Sequence, residues 1–221
     1  MGIGFSLYLI TDRHIVPVSS GDSPRPDIIA AVEEALKGGI EAVQLREKDM
    51  ATRPLLELAY AMRELTSRYK AKLFINDRVD IALAVGADGV HLGQKSMPAG
   101  AVRRTWPELL IGVSCHNQAE AQIAEGERAD FITLGPVYET PSKLKYGLSP
   151  IGVEAIRGIK AKVGIPVFAI GGIKLDNLSE VLSSGADGVA VISGILSAGD
   201  VKTKTEEYVR GLGPRRERAL K

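Results

Sequence analysis

Eight short apolar runs, rich in β-branched residues, recur along the chain, and a stretch of helical periodicity follows each one. The runs are residues 5–10, 41–45, 72–75, 89–92, 109–113, 131–134, 166–170 and 188–192. Most are continuously apolar rather than alternating, the pattern of strands buried on both faces of a parallel sheet. The helical segments are 27–37, 54–69, 80–85, 101–106, 118–125, 153–162, 177–183 and 203–209. In the first of these, Ile28, Val32, Ala35 and Leu36 share one face while Glu33, Glu34 and Lys37 lie on the other. Eight strand–helix units of about 25 residues predict an α/β fold, a (β/α)8 TIM barrel. The 221 residues are expected to form one domain, with 212–221 a basic, flexible tail.

Four of the helix ends resemble one another. They read Gly38-Gly39-Ile40-Glu41-Ala42-Val43, Gly86-Ala87-Asp88-Gly89-Val90, Arg128-Ala129-Asp130-Phe131-Ile132 and Gly185-Ala186-Asp187-Gly188-Val189. A left-handed helix cap followed by a tight turn into a buried strand explains the pattern. In a barrel this is the stability face, so the repeat is read as structural.

Charge limits the ligands. Lys and Arg number 28 against 27 Asp and Glu, a net charge of +1, so the whole molecule exerts no pull on nucleic acid or an anionic membrane. No run approaches the ~18 apolar residues of a membrane span. The single cysteine, Cys115, suits a reducing compartment, and a cytoplasmic location is expected. An anion site, if present, must be built locally.

Residues just after each strand converge on one mouth of such a barrel. After strand two, alternation sets Gln44, Arg46 and Lys48 on one side. A glutamine in a buried strand needs a partner, and Arg can grip a phosphate bidentately; the competing explanation is a solvated charge run. Asp77 after strand three can hold Mg2+ or cap the helix that begins at Arg78. After strand five, Ser114 can donate to a phosphate, and His116 can shuttle protons or cap the helix starting near Asn117. Cys115 faces the other way and reads as a small buried hydrophobe. The long segments 14–26 and 138–150 also follow strands, where lids are found. In the second, Thr140, Ser142 and Lys143 surround Pro141 as a phosphate clamp or an ordinary turn. Gly171-Gly172 after strand seven and Ile192-Ser193-Gly194 after strand eight occupy the recurrent phosphate position of barrels.

Together these residues resemble the thiamin phosphate synthase/TenI family, over almost the whole chain from Leu7 to Ser193. The most specific pieces are Gln44-Leu45-Arg46-Glu47-Lys48, Asn76-Asp77, Gly89-Val90-His91-Leu92-Gly93-Gln94, the run from Gly135 to Lys143, and Ala169-Ile170-Gly171-Gly172-Ile173. The resemblance implies a transferase of thiamin biosynthesis that joins hydroxymethylpyrimidine diphosphate to a thiazole phosphate and releases pyrophosphate. It implies that Gln44, Arg46, Lys48, Asn76, Ser114 and Lys143 hold the pyrimidine diphosphate and that Asp77 binds Mg2+. Thr140, Ser142, Gly172, Ile192 and Ser193 would hold the thiazole phosphate. Small phosphorylated heterocycles are then the partners, and a homodimer is the family's assembly. The TenI branch implies the alternative of a thiazole tautomerase with His116 as acid–base residue. A non-catalytic regulator that binds a phosphate ligand is a third. One departure bears on the choice: synthases carry Gly-Gln-x-Asp where this chain has Gly93-Gln94-Lys95-Ser96, so a hydroxyl replaces the second metal-binding carboxylate.

Overall fold

A computed structural model describes residues 3–16, 27–140 and 149–213. The eight expected strands are present: β1 (Leu7–Ile10), β2 (Ala42–Leu45), β3 (Lys72–Asn76), β4 (Gly89–Leu92), β5 (Leu110–Cys115), β6 (Phe131–Leu134), β7 (Val167–Ile170) and β8 (Gly188–Val191). Each pairs in parallel with the next, and β8 pairs with β1, so the sheet closes into a barrel. Between and after the strands run α1 (Ile28–Lys37), α2 (Thr52–Arg68), α3 (Val79–Val85), α4 (Ala99–Thr105), α5 (Gln118–Gly126), α6 (Gly152–Lys160), α7 (Leu178–Ser183), α8 (Ser193–Leu196) and α9 (Val201–Leu212). The arrangement is the (β/α)8 barrel that the alternation of patterns predicts.

Two differences from expectation have local causes. Strand β5 continues two residues further than its apolar run, because Ser114 and Cys115 still pair with Thr133 and Leu134 of β6. Helix α9 extends to Leu212, so the residue expected to open a flexible tail is helical, and residues 214–221 lie outside the described residues. Gly211 lets that last turn approach α7: a Cβ there would lie 2.8 Å from the Leu178 side chain.

Alternation divides the apolar residues into two cores. Outward side chains of the strands, such as Leu9, Val43, Leu73, Ile75 and Val90, pack against the helices. Inward ones fill the barrel: Tyr8, Phe74, Phe131 and Phe168, with Phe5 closing it from below. The Phe5 ring lies 5.2–5.8 Å from those four rings. Glycines on neighbouring strands make the space. A Cβ at Gly89 would lie 2.6 Å from the Phe74 ring, and one at Gly188 would lie 2.6 Å from the Phe168 ring. Close packing thus explains why the glycine that opens β4 or β8 sits beside a phenylalanine.

The repeated Asp at the lower rim has one job in three places. Asp88, Asp130 and Asp187 accept from the backbone N–H of Leu73, Ile111 and Val167 at 2.9, 2.7 and 2.9 Å. Each also meets a cation from a helix: Arg63 at 2.6 Å, Arg103 at 2.5 Å and Lys160 at 2.7 Å. Each therefore staples an even strand to the odd strand before it.

Candidate active site

The upper half of the barrel interior is polar. His91, on β4, is buried and inward-facing. Its Nε2 lies 3.0 Å from Ser114 Oγ and 3.3 Å from Thr133 Oγ1, and its Nδ1 lies 3.4 Å from the Tyr8 hydroxyl. Gly112, opposite on β5, leaves room for the ring, since a Cβ there would lie 2.6 Å from Nδ1. Burial depresses the His91 pKa to about 3, so the ring is neutral at physiological pH. It ties β1, β5 and β6 together beneath Ser114. Its partners come from strands distant in sequence.

Gln44, Asn76 and Asp77 form a chain whose polarity can be read from its end. A carboxylate only accepts, so the Asn76 Nδ2 faces Asp77 Oδ2, at 2.9 Å. Asn76 Oδ1 is then the acceptor for Gln44 Nε2, at 3.2 Å. That leaves Gln44 Oε1 buried with no partner among the described residues. A buried unpaired acceptor is costly, about 1–3 kcal/mol. Asp77 sits at φ +60°, a left-handed conformation uncommon outside glycine. It does not cap α3: Arg78 holds the cap position, and no side chain closes it. Instead Asp77 Oδ1 takes the Ser96 hydroxyl and, at 3.4 Å, the Gly93 N–H. Ser96 Oγ in turn accepts from Gly93 N at 2.6 Å. The serine at the departure from the synthase pattern thus touches the carboxylate expected to bind metal.

Arg46 and Lys48 stand beside this chain. Partial desolvation, and then the charge on Arg46, lower the Lys48 pKa, while Asp77 opposes the shift. Cys115 is buried against the helices, and its thiol is pushed up to about 12 by desolvation, so it is no nucleophile at neutral pH. Among the described residues no cluster of three His, Cys, Asp or Glu could hold a metal.

On the opposite side of the mouth, Gly171 and Gly172 adopt φ +98° and +67°. A Cβ on Gly172 would lie 2.7 Å from Tyr138 Cβ, and one on Gly171 would lie 2.7 Å from Pro136. These glycines therefore serve the close approach of the segment after β6, in addition to any ligand. Tyr138 N donates to Gly171 O at 3.0 Å and the Tyr138 hydroxyl to Glu180 at 2.7 Å. Thr140 ends this segment half-buried. Ser142 and Lys143 lie outside the described residues. After β8, Ile192 leads into α8, which starts at Ser193. Four residues are too few for a periodicity, and this helix has no counterpart in the sequence reading.

His116 precedes α5 but is not its cap. Asn117 is: its Oδ1 accepts from Glu120 N at 2.9 Å, and Glu120 reaches back to His116 N at 2.8 Å. The same Glu120 oxygen lies 2.9 Å from His116 Nδ1.

A family model described as thiamine monophosphate synthase matches residues 7–195, from the first residue of β1 into α8. The chain belongs to that family. It is 43% identical over 201 residues to the thiamine-phosphate synthase of Pyrococcus abyssi, covering 91% of each chain. To that of Caldanaerobacter subterraneus subsp. tengcongensis it is 45% identical over 210 residues, covering 94% of each. The solved structure of a thiamine phosphate pyrophosphorylase from Pyrococcus furiosus superposes with a TM-score of 0.83 at 42% identity, covering 94% of this chain and 95% of that one. The barrel described above is therefore the fold of a thiamine monophosphate synthase family member. No described helix is long and apolar enough to cross a membrane.

Proposed function

We propose that this protein is a thiamine-phosphate synthase, a transferase that condenses hydroxymethylpyrimidine diphosphate with a thiazole phosphate. The bond between the pyrimidine methylene carbon and the diphosphate oxygen breaks, pyrophosphate departs with the electron pair, and the thiazole ring nitrogen bonds the methylene carbon. The observation that carries the reading is the buried, unpaired Gln44 Oε1. It needs an N–H donor, and an aminopyrimidine brings one at the ring end of the substrate. A carboxythiazole phosphate brings none, which favours the synthase over a tautomerase.

In this reading Gln44 and Asn76 orient the pyrimidine, and Arg46 and Lys48 hold the diphosphate and oppose the charge that builds as it leaves. Ser114 is set to donate to the same group, and Lys143 would join it from the loop after β6. Thr140, Ser142, Gly172, Ile192 and Ser193 would hold the thiazole phosphate. The Asp77 carboxylate and Ser96 hydroxyl offer oxygen donors of the kind Mg2+ takes beside substrate phosphates, with one carboxylate rather than two. Bound there, the ion would add positive charge against the leaving pyrophosphate. The reading carries with it a cytoplasmic location, a homodimer, and neither nucleic acid nor membrane as partner.

The His116–Glu120 contact is the observation on the side of the tautomerase, since it would orient an acid–base imidazole. Pyrophosphate release separates the readings. Purified protein given both substrates should release pyrophosphate and form thiamine phosphate, and do so only with Mg2+. Folded protein that isomerises a carboxythiazole phosphate without Mg2+, and loses this in His116→Asn, is a tautomerase. Binding of the substrates without turnover of either kind would mark a regulator.

A further inference from the structure

Between the two cations at the end of β2 stands a carboxylate that pairs with neither. The Glu47 side chain is 1% exposed and is turned toward β1. Its Oε1 accepts from the Thr11 hydroxyl at 2.8 Å and from Arg13 N at 3.2 Å, and its Oε2 meets the Arg13 guanidinium at 3.0 Å. Thr11, wholly buried, accepts in turn from Arg46 N at 2.9 Å. Arg13 then continues to Asp49, gripping both carboxylate oxygens at 2.7 Å.

This pattern has a consequence for charge as well as for shape. A carboxylate between Arg46 and Lys48, and another just beyond, would ordinarily pair with those cations and compete with an anionic ligand. Here Arg13 takes both carboxylates. Among the described residues no ion pair engages Arg46 or Lys48. The backbone of Arg46 is meanwhile fixed to β1 through Thr11, so its side chain departs from an anchored point. β2 ends at Leu45, and in the segment that leaves it Glu47 is buried while Arg46 and Lys48 on either side of it reach solvent.

The geometry points to Thr11, Arg13 and Glu47 as positioning residues that hold Arg46 and Lys48 free and aimed for a diphosphate. The inference rests on the assignment of those cations to the diphosphate made above. None of the three touches the ligand; they act through Arg46 and Lys48. A clamp that served stability alone would affect both substrates alike.

The test compares Glu47→Gln and Thr11→Val with the unaltered full-length protein in Mg2+ buffer. Calorimetry with inorganic pyrophosphate reads the diphosphate site without turnover, and steady-state kinetics reads KM for each substrate separately. Both variants should weaken pyrophosphate binding and raise KM for the pyrimidine diphosphate by roughly tenfold, with KM for the thiazole phosphate unchanged. If Glu47→Gln fails to fold, the near-isosteric Thr11→Val carries the comparison. Asp49→Asn, at an exposed position, should act in the same direction by a smaller factor. Unchanged pyrophosphate binding in folded variants, or an equal loss for both substrates, would overturn the clamp. Unaltered protein that binds no pyrophosphate would overturn the assignment on which the clamp rests, which is a different outcome from variants that bind as well as their parent.

Discussion

The two rims of this barrel use charge in opposite ways. At the lower rim, Asp88, Asp130 and Asp187 repeat one device, and each carboxylate has both a backbone N–H and a cation. At the upper rim Glu47 is closed in the same way, by the Arg13 N–H and guanidinium, but the groups around it are not. Gln44 Oε1 has no partner among the described residues, and Lys48 is partly desolvated beside a like charge. Closed, repeated polar pairs stabilise a fold, whereas singular and incomplete ones mark where a ligand completes the structure. The contrast also separates Asp130 from Asp77, each just beyond one end of a strand: the first holds two strands together, and the second faces the mouth.

Substitutions at the two rims should therefore fail in different ways. The largest effect is expected from Arg46→Ala, which should cut kcat/KM by roughly a hundredfold or more while leaving the melting temperature within a few degrees; normal turnover would remove Arg46 from the site. Acid should act next, through His91. Its folded-state pKa, about 3, lies below the ordinary 6.5, so the unfolded chain binds the proton more readily. Stability is then retained above pH 6.5 and falls as the pH drops toward 3, by about 2 kcal/mol at pH 5. Denaturant titrations at pH 5 and 7 check this, and His91→Gln should flatten the difference. At the lower rim, Asp130→Ala should cost about 1.5 kcal/mol of stability and leave kcat/KM intact. A loss of activity without a loss of stability there would erase the distinction between the rims. The smallest effect is expected from Ser96→Asp, which adds a second carboxylate beside Asp77 and should tighten Mg2+ binding severalfold by calorimetry; no change would place Ser96 away from the metal.

Much of this was legible in the sequence because periodicities of two and of three to four residues are local. They located all eight strands and the helices between them. What escaped needed partners from elsewhere. Glu47 looks like part of a charged run, and only its distance to Thr11 and Arg13 shows that it is buried and engaged. The sequence could not show the contacts of His91 to Tyr8, 83 residues away, or Thr133, 42 residues away. Gly171 and Gly172 looked like a phosphate cradle alone, and the structure adds their packing under Tyr138 and Pro136. Asp77 was open between cap and ligand, and the structure removes the cap, since its carboxylate lies against Ser96 rather than at the start of α3.

The unpaired Gln44 acceptor links the geometry of the upper rim to the chemistry assigned to it, and it can be tested directly. Steady-state kinetics would compare the aminopyrimidine diphosphate with its desamino analogue, in the unaltered protein and in Gln44→Leu. The unaltered protein should prefer the amino substrate by roughly tenfold or more in kcat/KM, and Gln44→Leu should lose that preference. An equal preference in both proteins would show that Gln44 does not read the amino group and that the buried acceptor has another purpose.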